Sequence, residues 1–81
     1  MAELRNWQLL TRAECGLCEE MQHALVAMLG EAAGHIAVID IDDHPQLMQK
    51  YGNRIPVLMI DDEVVCCYRL DAERVRDHLA M

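Results

Sequence analysis

The sequence predicts an α/β protein: a four-stranded mixed sheet flanked by three helices, in the order β-α-β-α-β-β-α. Three observations carry that expectation. Apolar residues at 18, 21, 25, 28 and 29 recur at helical spacing and define a first helix. Short apolar runs at 7–11, 36–41, 55–60 and 64–68 read as strands. The last two runs flank the acidic stretch Asp61-Asp62-Glu63, a tight turn that makes them a hairpin. The βαβ portion needs a crossover and a parallel pair, and the hairpin adds antiparallel strands. Helices then cover both faces of the sheet.

Taken in order, Trp7-Gln8-Leu9-Leu10-Thr11 is the first strand and Arg12-Ala13-Glu14 a loop. The first helix runs from Cys15 to Leu29, and Gly30 is a natural stop because it accepts the left-handed conformation that ends helices. Glu31 to His35 reads as a loop. Ile36 to Ile41 is nearly continuous in apolar character, as a central or parallel strand should be. Asp42 or Asp43 is placed to cap the second helix, Pro45 suits its first turn, and Gly52 closes it after Leu47, Met48 and Tyr51. Pro56 cannot donate to a ladder, so it marks the start of the third strand. Cys66 and Cys67 in the fourth strand should point one inward and one outward. Asp71 caps a final helix whose apolar face is Ala72, Val75 and Leu79.

Length and composition bound the rest. A chain of 81 residues makes one small domain, 1–81, with a single modest core. Hydrophobic residues make up 53%, which argues against disorder, and with no Phe the Met, Leu, Ile and Val residues must fill the interior. The net charge of −7 argues against nucleic acid or an anionic membrane as partner. No apolar run approaches the length of a membrane span. The N-terminus lacks a basic region followed by an apolar one, so a cytoplasmic protein is expected. In that setting, cysteines point to catalysis or metal binding before structural bridges. His23, His35, His44 and His78 show no ligand spacing and are expected at the surface.

The chemistry centres on Cys15-Gly16-Leu17-Cys18. A cysteine that opens a helix lies at the positive end of the helix dipole, beside unpaired backbone N–H groups, and both favour the reactive thiolate. Cys18, one turn on, faces the same way and could close a disulfide with Cys15. Cys18 sits beside Met21 and is expected to be the more buried of the two. Zinc sites use the same spacing, so a metal-binding reading stands beside the redox one.

A dithiol between the first strand and first helix, with Ile-Pro opening the third strand, resembles the thioredoxin fold, and more closely the small glutaredoxin-like proteins of bacteria. The most specific stretches are Leu10 to Cys18 and Arg54-Ile55-Pro56-Val57-Leu58-Met59-Ile60-Asp61, with Asp40, Pro45 and Tyr51-Gly52 adding to the likeness. The resemblance implies a thiol–disulfide oxidoreductase in which Cys15 attacks and Cys18 resolves. It implies a cis Pro56 that exposes the Ile55 backbone to a substrate strand. It gives Arg12 the place of a basic residue that binds a carboxylate of glutathione, and Gly16 and Leu17 the rim of the site.

The departures are specific. Gly-Leu replaces the Pro-Tyr common between glutaredoxin cysteines, and Cys66-Cys67-Tyr68-Arg69 stands where a Gly-Gly pair and an Asp are usual. Glu14, Glu19 and Glu20 bring negative charge that opposes the dipole effect, which points to a more reducing pair. The expected partners are a disulfide-containing protein or low-molecular-weight disulfide, with glutathione or a disulfide reductase as reductant, acting on a monomer without a bound cofactor. The rival readings are a metal or iron–sulfur module using Cys15 with Cys18 or Cys66, and a non-catalytic redox sensor or adaptor.

Overall fold

The structure is a computed structural model that describes Leu4 and residues 6–80. Its strands are β1 (Trp7–Thr11), β2 (Ala37–Asp40), β3 (Val57–Ile60) and β4 (Glu63–Cys67), and its α-helices are α1 (Gly16–Leu29), α2 (Pro45–Tyr51) and α3 (Ala72–Leu79). The strands form one mixed sheet in the order β2-β1-β3-β4. β1 runs parallel to β2 and antiparallel to β3, with Leu9 beside Val38 on one side and opposite Leu58 on the other. The predicted element order and sheet type are therefore correct.

Each face of the sheet buries its own cluster. Met21 and Leu25 of α1 and Val75 of α3 pack with Trp7, Leu9, Leu58 and Val65 on one face. On the other, Tyr51 of α2 packs with Leu10, Ile41, Val57 and Met59, and Leu47 and Met48 flank them. At seven residues, α2 is too short to be stable alone, so this packing is what holds it. Gly52 closes α2 for reasons of space: a Cβ there would run into the Met48 carbonyl oxygen, while its backbone stays right-handed. Gly30, by contrast, ends α1 at φ +62.

The β3–β4 hairpin turns on Asp61 and Asp62, at φ 48 and 68. Two consecutive left-handed residues match the twist of the flanking strands, and Asp tolerates that conformation. Glu63, expected in the turn, is the first residue of β4. Further along, Leu58 pairs with Cys66 but Met59 pairs with Val64, so Val65 is an extra residue in β4. This bulge puts Val65 and Cys66 in the same cluster, and Cys67 alternates to the opposite one. The two cysteines point to opposite faces as expected, but helices cover both faces, so Cys67 is half-buried and does not stand free. Arg74 of α3 donates through Nη1 to the carbonyl of Val65 at 3.1 Å, which gives the bulge a partner.

Other boundaries shift. Cys15 caps α1 and does not lie within it. The expected loop at 31–35 is a 3-10 segment, Gly30–His35. The second strand is short and lies at the sheet edge, with Ala37 and Val38 exposed; its apolar run reflects Ile36 and Ile41, which are buried beyond its ends. Ile41–Asp43 forms a second 3-10 turn, capped by the Asp40 side chain accepting from the Asp42 N–H at 2.9 Å. Neither Asp42 nor Asp43 caps α2; His44 holds that position without a side-chain cap, and Pro45 opens the helix. The third strand begins at Val57, after Pro56. Asp71 caps α3 as expected, accepting from the Arg74 N–H at 3.1 Å. His78 is half-buried, its ring nitrogen Nδ1 paired with the Arg74 carbonyl.

Candidate active site

The sheet register brings the chemistry to one end. Leu10 lies beside Ile39 and opposite Val57, and Val57 lies opposite Cys67. The residues that follow β1 and β2, precede β3 and follow β4 therefore emerge together. They include Arg12 and the dithiol, Asp42, Ile55 and Pro56, and Tyr68.

Cys15 takes an extended backbone at φ −109 and accepts the N–H of Cys18 at its sulfur, 3.2 Å away. A helix cap normally uses a side-chain oxygen; here the sulfur receives an orphan donor of the first turn. Glu14, immediately before it, is held at φ +58. Cys15 is half-buried, whereas Cys18 is 2% exposed. Burial, with the bond to Cys15, pushes the Cys18 thiol up from the ordinary 9.0 to about 11. Charge on Glu19 adds the smallest upward push, and the Arg12 backbone pulls the other way. One reachable sulfur is thus paired with one protonated sulfur behind it.

The other predicted residues lie at the same end of the sheet. The Ile55–Pro56 peptide bond is cis. Pro56 is buried and Ile55 half-buried. Gly16 is exposed with open space where a side chain would stand, and Leu17 beside it is half-buried. Arg12 donates through Nε and Nη2 to Asp42 Oδ1, both at 3.2 Å, and Nη2 also reaches the Met48 sulfur at 3.1 Å. Among the described residues, no three His, Cys, Asp or Glu side chains converge to hold a metal, so Cys66 does not join Cys15 and Cys18 in such a group. Among the described residues, no helix is long and apolar enough to cross a membrane.

Two features escaped the sequence. Arg54 donates through Nη2 to the Cys67 sulfur at 3.4 Å, which pushes the guanidinium further up, and it stands over the Tyr51 ring. Tyr68 follows β4 at φ +69 and donates its hydroxyl to the Asn53 carbonyl at 2.7 Å. The residue type gives no warning of either, since a left-handed position would normally advertise itself as glycine. Burial pushes the Cys66 thiol up, consistent with a packing role.

Residues 6–80 match the family described as Glutaredoxin-like domain (DUF836). The chain is 30% identical over 78 residues to an uncharacterized protein of Mycobacterium tuberculosis, covering 90% of this chain and 80% of that one. A solution structure of protein Ne2328 from Nitrosomonas europaea superposes with a TM-score of 0.82 at 32% identity, covering 98% of this chain and 95% of the other. An X-ray structure of protein XcR50 from X. campestris gives 0.72 at 31% identity, covering 91% and 95%. The fold, the dithiol at the head of its first helix and these likenesses agree: the chain belongs to the glutaredoxin-like family of thioredoxin-fold proteins.

Proposed function

We propose that the protein is a thiol–disulfide oxidoreductase working through Cys15 and Cys18. The observation that carries this reading is the cap itself. The Cys15 sulfur is reachable and already accepts an N–H from the first turn of α1, while Cys18 is buried and held protonated behind it. The Cys15 thiolate attacks one sulfur of a substrate disulfide, and the other sulfur leaves as a thiolate that takes up a proton. Cys18 then gives up its proton and attacks the Cys15 sulfur. The bond between Cys15 and substrate breaks, the second substrate thiol departs, and Cys15–Cys18 is left oxidised. Two electrons have passed from the dithiol to the substrate. Glutathione or a disulfide reductase returns them.

Ile55 and Pro56, at the same end of the sheet, are the segment along which a substrate strand pairs. Gly16 and Leu17 form the rim; the open space at Gly16 supports close approach. Arg12 commits Nε and Nη2 to Asp42 and Met48, which leaves Nη1 for a substrate carboxylate.

Intact mass after exposure of the reduced protein to oxidised glutathione tests the mechanism. Loss of two hydrogens without an adduct is the expected result. Cys15→Ser should abolish turnover, and Cys18→Ser should accumulate a mixed disulfide on Cys15. Full turnover by Cys15→Ser would sink the proposal.

A further inference from the structure

The functional reading leaves one strained residue unexplained. Among the described residues, four non-glycines lie at positive φ: Asp61 and Asp62 make the hairpin turn, Glu14 precedes the attacking cysteine, and Tyr68 follows β4. A bulky residue in the left-handed region is strained and persists only where its surroundings over-determine it. At Tyr68 two contacts do so. Its backbone N–H donates to the Pro56 carbonyl at 2.9 Å, and its hydroxyl donates to the Asn53 carbonyl at 2.7 Å. Asn53 and Pro56 are the two ends of the four-residue segment that leads from α2 into β3. One residue therefore clasps both ends of the stretch that carries Ile55.

The amide bond continues the register that sets Cys67 opposite Val57, and the hydroxyl bond carries the side chain back to the same neighbouring segment. Tyr68 stays 48% exposed and walls a shallow, open groove with Met21 and Ala24 of α1 and with Leu70. Arg69 and Glu20 stand on its flanks. An ordinary surface tyrosine would give no reason for a strained backbone or for two bonds to one short segment.

We propose that Tyr68 is a positioning residue for substrate: it pre-orders the Asn53–Pro56 segment for strand pairing and forms the wall against which a protein substrate lies. The inference rests on the oxidoreductase reading and deepens it, because it assigns the site to extended polypeptide. A small disulfide that does not pair along Ile55 should be indifferent to the clasp.

The test is steady-state kinetics of the full chain, with dithiothreitol as reductant and either insulin or cystamine as disulfide. Tyr68→Phe removes only the hydroxyl. It should raise KM for insulin about fivefold, the size of one ordinary hydrogen bond, and leave kcat and the cystamine rate unchanged. Tyr68→Gly keeps the left-handed backbone accessible but removes both the hydroxyl and the ring, so it should raise KM for insulin further than Tyr68→Phe does. Equal KM values for insulin in wild type and Tyr68→Phe would overturn the inference. So would a parallel loss on both substrates that follows the melting temperature. A wild-type protein inert toward both disulfides overturns the oxidoreductase reading, and this inference with it.

Discussion

Cys15 and Cys18 differ in environment more than in position. Both sit at the start of one helix, yet one sulfur caps that helix from outside and the other is buried. The difference suits the separate roles proposed for the two thiols, and it has a consequence for stability. The Cys18 thiol titrates at about 11 in the folded chain against an ordinary 9.0, so the folded state holds the proton more tightly. Below pH 9 both states are protonated and the full contribution is present. Between about 9 and 11 the unfolded chain ionises first, and stability falls as pH rises. Urea denaturation of the reduced protein should show this loss, and Cys18→Ser should show less of it. Cys66, pushed up by burial, adds to the same decline.

At the level of elements, the caps and the bulge set where the chain turns. α3 is a short helix with a single fully buried residue, Val75, and its start depends on Asp71 accepting from the Arg74 N–H. Asp71→Ala should cost about 1 kcal/mol, read as a lower urea midpoint with an unchanged slope. Arg74 then joins α3 to the sheet through the Val65 carbonyl. The bulge puts Val65 and Cys66 on the α1 and α3 face, while Cys67 alternates to the α2 side, where Arg54 reaches its sulfur. Sequence pattern foretold the cap, because Asp before an amphipathic run has a local signature. It foretold neither bulge nor partner, because both depend on pairing with β3.

For the whole molecule, the two central strands carry the load. β1 and β3 are flanked on both sides by other strands, and Leu9 and Leu58 face each other between them, fully buried. Leu58→Ala should destabilise by roughly 2–5 kcal/mol, because the sheet cannot collapse into the space left behind. That is a large share of the roughly 5–15 kcal/mol typical of small domains. Thermal or urea unfolding measures it directly.

The sequence by itself determined the order of elements, the helix opening at the dithiol, the Asp71 cap and the reading of Cys15 and Cys18 as the centre of the chemistry. These are local statements: periodicity, capping chemistry and spacing act over a few residues, and they survive whatever the rest of the chain does. The tertiary structure decided what depends on contacts far apart in sequence. It moved the apolar second strand to an edge, because Ile36 and Ile41 find their burial outside it. It paired Arg12 with Asp42 and Arg54 with Cys67, and it folded Tyr68 back onto Asn53 and Pro56. Long side chains choose partners by geometry at the end of the sheet, and only the register of the four strands brings those partners within reach.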